Sequence, residues 1–289
     1  LVPPGGRVVA AHDCYGGTWR LLTRLAERGR FSLDFVDLTS PDAWQPALAR
    51  PANLVFLESP SNPLLRLTDI PAVAAAGRAA GALVVADNTL ASPVVQQPLL
   101  MGCDVVVHST TKFINGHSDV VGGAVITATR ELADQLTSWA TTIGVTASPW
   151  DCWLTLRGLR TLDARMRVHQ TNAGVLADEL RSASPVTAVH YPGFGALISF
   201  ELSGGEPAAR AFCDGLSCFD LAESLGGTES LVAHPATMTH ASMTPQAQAA
   251  AGITPGLLRL SVGIEPLDDL LADVRAGLRR AEMPAGSRS

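Results

Sequence analysis

The feature that most restricts the fold is the regular alternation of short apolar runs with helical stretches over the first 127 residues. Apolar strands joined by helical crossovers are typical of an α/β domain whose sheet is mainly parallel and covered on both faces. The predicted strands are 7–11, 34–38, 54–58, 83–87, 105–108 and 123–127, and the predicted helices are 18–27, 42–49 and 70–80.

The rest of the chain predicts a smaller α+β domain. Residues 157–180 contain no Pro and carry apolar residues at helical spacing, so we expect one long helix there. A large domain is expected over residues 1–165 and a small C-terminal domain over 166–289. In this part, strands are expected at 187–191, 197–202 and 257–262, and helices at 207–216 and 267–281.

Composition excludes several classes of protein. The net charge is −6, and no basic stripe is present that would neutralise the phosphates of a nucleic acid. No apolar run is long enough to span a bilayer, so no membrane association is expected. The five cysteines are odd in number and irregularly spaced, which disfavours a disulfide framework or a metal site and favours reduced thiols in the cytoplasm.

Lysine usage singles out one position. The chain has 21 basic residues, and Lys112 is the only lysine among them. One interpretation is that a single lysine remains by chance in a chain whose composition favours arginine. The functional interpretation is that arginine cannot replace it, because an amine with a lowered pKa forms an imine with an aldehyde and a guanidinium does not.

Polar side chains follow two of the predicted strands, near Lys112. Ser109, Thr110 and Thr111 come directly after one strand, and their hydroxyl and N–H groups suit a phosphate. Asp87 ends another strand, where it is either a turn residue or the carboxylate partner of a protonated pyridine nitrogen. Ligands of such sheets bind at the carboxyl ends of the strands, which is where these residues are expected.

Seven stretches together resemble the Cys/Met-metabolism family of pyridoxal-5′-phosphate (PLP) enzymes. They occur in the family's order and cover nearly the whole chain. The resemblance implies the aspartate-aminotransferase-like fold (fold type I), PLP as the cofactor, and Lys112 as the residue that forms a Schiff base with it. The stretches are residues 12–20 (HDCYGGTWR), 58–63 (ESPSNP), 87–89 (DNT), 108–112 (HSTTK), 116–123 (GHSDVVGG), 222–230 (AESLGGTES) and 258–265 (LRLSVGIE).

The resemblance also implies roles for the residues around the cofactor. Tyr15 is expected to stack on the pyridine ring and to relay protons, and Asp87 to pair with the ring nitrogen. Asn62 is expected to contact the phenolic oxygen of PLP and the substrate, while Ser109 and Thr111 bind the phosphate.

A second group of residues is implied to bind the substrate. Arg259 is expected to hold the α-carboxylate through two parallel hydrogen bonds, a geometry that suits arginine. Ser224 is expected to orient the lysine amine or contact the substrate, with Glu223 beside it. Arg20 is expected to receive the distal carboxylate of an O-succinyl group.

Further stretches resemble the bacterial cystathionine γ-synthase branch of the family. They imply γ-replacement, in which O-succinylhomoserine and cysteine give cystathionine and succinate. Cystathionine γ-lyase activity is the alternative, because that branch shares the core residues. Methionine γ-lyase is disfavoured, since Gly17 stands where that branch usually carries a cysteine. The stretches are residues 12–17, 143–146, 156–162 and 236–241.

Two parts of the family pattern do not occur in these 289 residues. One is an N-terminal segment with a phosphate-binding loop and a Tyr-x-Arg element that reaches the neighbouring subunit's site. The other is a longer loop near residues 192–193. The resemblance implies a homotetramer, a dimer of dimers, with sites shared between subunits. If the N-terminal segment is truly absent, the alternative is a PLP-binding protein without turnover.

Overall fold

The computed structural model describes residues 1–239, 241 and 245–282. Two compact units are present. The first comprises residues 1–62, 66–115 and 119–158, and the second comprises residues 63–65, 116–118 and 159–289. None of the helices in the described ranges combines the length and the hydropathy that crossing a bilayer requires.

The first unit is built on a six-stranded sheet with the order β2-β1-β3-β4-β5-β6. Five strands are parallel, and β6 pairs antiparallel with β5. The predicted α/β class is confirmed. The strands are β1 (Gly6–Ala11), β2 (Phe31–Val36), β3 (Leu54–Glu58), β4 (Leu83–Asp87), β5 (Val105–Ser109) and β6 (Gly123–Thr127); the helices are α1 (Gly16–Glu27), α2 (Pro41–Leu48), α3 (Ile70–Ala79), α4 (Ser92–Val95), α5 (Arg130–Ile143) and α6 (Pro149–Leu159).

The second unit contains a five-stranded sheet with the order β7-β8-β11-β10-β9. Its core is formed by α7, α8 and α10 packing on the central strands, with Phe200 and Phe212 in edge-to-face contact. The strands are β7 (Val186–His190), β8 (Leu197–Leu202), β9 (Phe219–Leu221), β10 (Ser230–Ala233) and β11 (Leu257–Ser261); the helices are α7 (Leu162–Ser182), α8 (Gly205–Cys213), α9 (Pro245–Ala251) and α10 (Leu267–Glu282).

The prediction of one long helix over residues 157–180 is wrong. The chain forms α6 and α7 instead, with a break at residues 160 and 161. Near the end of α6, within the first unit, a Cβ on Gly158 would lie 2.5 Å from the Asn115 carbonyl oxygen. The break falls next to the boundary between the two units, so packing rather than local propensity ends the helix.

The second predicted strand is also displaced. It was expected at 34–38 and lies at Phe31–Val36, because Gly6 to Ala11 of β1 pair with it residue by residue. Beyond it, Asp37 accepts hydrogen bonds from the N–H (2.9 Å) and the hydroxyl (2.6 Å) of Thr39. An aspartate that bonds the backbone two residues on favours a turn, which stops the strand.

Candidate active site

The carboxyl ends of three neighbouring strands bring polar side chains together in the first unit. Glu58 ends β3, Asp87 ends β4 and Ser109 ends β5, and these strands are adjacent in the sheet. Tyr15 follows β1 at the same edge and is the N-cap of α1. The strand ends predicted for Asp87 and Ser109 are thus confirmed.

Asp87 is held by one of its two carboxylate oxygens. Its Oδ1 accepts hydrogen bonds from the hydroxyl (2.6 Å) and the N–H (3.0 Å) of Thr89. Its Oδ2 accepts none from the described residues. Burial raises the pKa of Asp87, and the two bonds from Thr89 oppose that rise. A partly buried carboxylate with one oxygen fixed and the other open fits a cationic ring nitrogen, which would offset its desolvation.

Thr89 links Asp87 to the next strand, a role that the sequence did not suggest. Its Oγ1 also accepts the N–H of Ser109 at 2.9 Å. The spacing of two residues after a strand-ending aspartate was the available signal, because such a hydroxyl often closes a turn onto the carboxylate. Thr89 therefore fixes the position of Asp87 relative to the segment that leads to Lys112.

The segment after β5 is fixed by its own backbone. The N–H of Lys112 donates to the carbonyl oxygen of Ser109 (3.2 Å), and the N–H of Thr110 donates to that of Gly122 (2.9 Å). Thr111 Oγ1 accepts the N–H of Gly122 at 3.0 Å and donates to its carbonyl oxygen at 3.3 Å. The Thr111 hydroxyl is thus engaged within the loop, while the Ser109 hydroxyl makes no hydrogen bond to the described residues.

Tyr15 stands at the beginning of α1 with its side chain 56% exposed. Its N–H donates to Glu58 Oε2 at 2.7 Å. A Cβ on Gly17 would lie 2.4 Å from Cε1 of the Tyr15 ring. A side chain at position 17 would therefore move the ring, which gives a physical reason for glycine there. Arg20 is exposed on the same helix, and Asn62 is buried after β3.

The second unit holds the other predicted residues. Arg259 lies in β11 with 2% of its surface exposed, and its Nη2 donates to the carbonyl oxygen of Ser224 at 2.8 Å. Burial lowers the pKa of Arg259 to about 10, and the charge of Glu223 partly opposes this. Ser224 has a φ of 97°, a strained conformation for a non-glycine residue. A buried guanidinium of this kind suits a carboxylate ligand.

Comparison with known proteins identifies the family. The model of the Cys/Met metabolism PLP-dependent enzymes matches residues 1–279. The chain belongs to this family. Its cofactor is PLP, it is an enzyme of the trans-sulfuration group, and the residues around Asp87 fit that cofactor.

Relatives within the family include enzymes with different activities. The chain is 49% identical to cystathionine γ-synthase of Escherichia coli K12, over 97% of this chain and 77% of that protein. A cystathionine γ-synthase structure from Xanthomonas oryzae has a TM-score of 0.96 and 56% identity over 98% of this chain and 77% of that one. A cystathionine γ-lyase structure from Micromonospora echinospora has a TM-score of 0.93 and 42% identity over 96% and 78%. The fold-type prediction is confirmed.

Proposed function

We propose that this protein catalyses γ-replacement, in which O-succinylhomoserine and cysteine give cystathionine and succinate. The observation that carries the proposal is its similarity to two cystathionine γ-synthases, at 49% and 56% identity, against 42% for the γ-lyase structure. In the net reaction the bond from Cγ to the ester oxygen breaks, a bond from Cγ to the cysteine sulfur forms, and the thiol proton is released.

The cofactor residues of the proposal lie in the first unit. When bound, PLP supplies an electron sink that depends on a protonated ring nitrogen. Asp87 Oδ2 would bind that nitrogen, and the Ser109 hydroxyl would bind the phosphate. Thr111 would join it by exchanging the hydrogen bond from its hydroxyl to the carbonyl oxygen of Gly122 for one to the phosphate. The Lys112 amine holds the cofactor covalently at rest. During turnover it removes the proton from Cα of the substrate and delivers protons back.

A second set of residues is assigned to the substrate. In the first unit, Tyr15 stacks on the ring and deprotonates the incoming amine or thiol, Asn62 contacts the phenolic oxygen and the substrate, and Arg20 binds the distal carboxylate. In the second unit, Arg259 binds the α-carboxylate through its guanidinium, with Ser224 and Glu223 beside it. The two hydrogen bonds that a guanidinium donates fix the orientation of the α-carbon.

The reaction is tested by product analysis. With both substrates present, we expect cystathionine to form faster than 2-oxobutyrate, and without cysteine we expect 2-oxobutyrate and ammonia. If the protein cleaves cystathionine rapidly but forms none, the proposed synthase activity is wrong and the protein is a γ-lyase. Binding of PLP without turnover of either substrate would leave a PLP-binding protein.

Arg20→Ala tests the choice of acyl group. Loss of a charged hydrogen bond costs about 1.5–3 kcal/mol, so kcat/KM for O-succinylhomoserine should fall roughly 10- to 100-fold. Cystathionine cleavage should change much less, because that substrate has no succinyl group. Arg28→Ala, an exposed arginine at the other end of α1, is the matched control. Equal losses of kcat/KM for both substrates would show that Arg20 does not bind the succinyl group.

Arg259→Ala tests the α-carboxylate site. Truncating one partner of a buried charge pair costs about 2–5 kcal/mol, so every amino-acid substrate should lose kcat/KM by a similar factor. Arg275→Ala is the control in the same unit, since Arg275 is exposed and bonded to Glu179. An effect confined to one substrate would indicate that Arg259 contacts a side chain instead.

We also propose a homotetramer of the dimer-of-dimers kind, located in the cytoplasm, with sites shared between subunits. Large apolar side chains on α5 and α6 support the assembly: Trp139, Trp150 and Trp153 are each more than half exposed, and the last two stack at 5.0 Å. Exposed apolar patches of this kind mark protein interfaces.

The free cysteines among the described residues support a reducing compartment.

A further inference from the structure

Two carboxyl groups lie side by side at the end of the sheet. The parallel strands β3 and β4 pair with Glu58 opposite Asp87. Residues paired in this way point to the same face of a sheet, because side chains alternate with a period of two. Glu58 is only 2% exposed. Two like charges in one poorly solvated place are unfavourable, so the pair favours retention of one proton.

The hydrogen bonds decide which carboxyl group holds that proton. Asp87 Oδ1 accepts two bonds from Thr89, which stabilise the anion. Glu58 Oε2 accepts one bond from the N–H of Tyr15, and Glu58 Oε1 is buried without a hydrogen-bond partner among the described residues. A buried oxygen in that state is far more costly when charged than when protonated.

No positive charge compensates Glu58 within hydrogen-bonding distance in the described part of the chain. The groups that face it are Asp87 on β4 and, in the segment after β1, Asp13 and Cys14. The nearest described cation to Asp13 Oδ2 is Arg66, at 3.9 Å. Burial raises the pKa of Glu58 well above its usual range, and the charges of Asp87 and Asp13 raise it further. Burial likewise raises the pKa of the Cys14 thiol, which stays neutral.

We propose that Glu58 is a positioning residue that keeps a proton on Oε1 and thereby leaves Asp87 as the ionised carboxylate of the pair. The inference rests on the proposed role of Asp87 as the partner of the ring nitrogen. A neutral Glu58 does not compete with Asp87 for that cation, while its Oε2 still holds the N–H of Tyr15. One side chain therefore fixes both the start of α1 and the charge state next to the cofactor.

Infrared spectroscopy tests the protonation state directly. The full chain, loaded with PLP and labelled with ¹³C-glutamate, should show the carbonyl band of a protonated carboxylic acid at neutral pH, shifted by the label. Glu58→Gln should abolish the band. Asp104→Asn is the matched control, because Asp104 also accepts one backbone N–H, that of Val84 at 2.8 Å, in the same unit. A wild-type spectrum without a label-sensitive band would overturn the inference even if no variant folds.

The pH dependence of unfolding gives a second readout. A carboxyl group whose pKa is raised in the folded state stabilises the fold fully below its unfolded pKa, and this stability is lost as the pH rises through the folded pKa. The ordinary pKa of a glutamate carboxyl group is 4.5. Above that pH, the ratio of the wild-type unfolding constant to that of Glu58→Gln should rise by up to about tenfold per pH unit until Glu58 ionises. A constant ratio would contradict the inference.

The two proposals fail in different ways. If the protein binds PLP and turns over substrate but lacks the glutamic acid band, only the proposed role of Glu58 is refuted. A protein that shows the band but neither binds PLP nor turns over substrate would refute the proposed function and with it the link from Glu58 to the cofactor. The contact of Glu58 with Tyr15 is tested separately. The Glu58→Gln variant still has an oxygen that accepts the N–H of Tyr15, so circular dichroism should show that α1 is intact.

Discussion

Lys112→Ala is expected to abolish covalent attachment of PLP and to reduce turnover by roughly 10⁴-fold or more, since general acid–base catalysis alone contributes up to about that factor. Lys112 is the only lysine of the chain, so no second side-chain amine can replace it. Borohydride reduction of the wild-type protein followed by peptide mapping should place the cofactor on Lys112, and the variant should lose this label.

Lys112→Arg is the matched control for charge. It keeps a cation at the same place, in a chain where arginine fills every other basic position. A guanidinium neither attaches the cofactor nor accepts a proton at neutral pH, so this variant should be as inactive as Lys112→Ala. Recovery of substantial turnover in Lys112→Arg would mean that a positive charge suffices, and labelling of another residue would refute the assignment.

Asp87→Asn is expected to lower kcat/KM by on the order of a thousandfold or more, because the ring nitrogen loses the carboxylate that keeps it protonated. The change is conservative in shape: an amide oxygen can still accept both hydrogen bonds from Thr89. PLP should still attach to Lys112, so the loss should appear in turnover rather than in cofactor content. Steady-state kinetics with matched PLP occupancy measure it.

The control for Asp87 is Asp104→Asn, the same chemical change at a carboxylate that bonds the backbone in the same sheet. It should retain nearly full activity. Thr89→Val provides a second comparison, because it removes the hydroxyl bonded to Asp87 and to the N–H of Ser109. Near-normal turnover in Asp87→Asn would refute the pairing with the ring nitrogen.

Much of the first unit followed from local sequence. The strands Leu54–Glu58, Leu83–Asp87 and Gly123–Thr127 lie where they were predicted, because short β-branched and apolar runs bounded by turn residues encode a buried strand locally. The same runs place Asp87 and Ser109 at strand ends. The chemistry of the cofactor residues follows from residue type: an amine, a carboxylate and hydroxyls agree with PLP, the cofactor that the family resemblance implied.

Contacts between distant residues were not available to that reasoning. The short strands Phe219–Leu221 and Ser230–Ala233 were missed, because segments of three and four residues carry too little periodicity. They form by pairing with neighbouring strands: β9 is parallel to β10, and β10 is antiparallel to β11. The helix expected over 157–180 is interrupted at residues 160 and 161, just after Gly158 packs against the backbone of residue 115. In each case a tertiary contact overrides a local preference.

Residue types and their order along the chain thus determined the family, the cofactor and most of the strands of this protein. The tertiary structure alone decided which groups share a charge environment. Glu58 and Asp87 are 29 positions apart in sequence, yet the register of β3 and β4 sets them opposite each other. Thr89 reaches Ser109 for the same reason. Strand register is fixed by packing across the sheet, and the electrostatics of a buried site depend on distances that no local pattern contains.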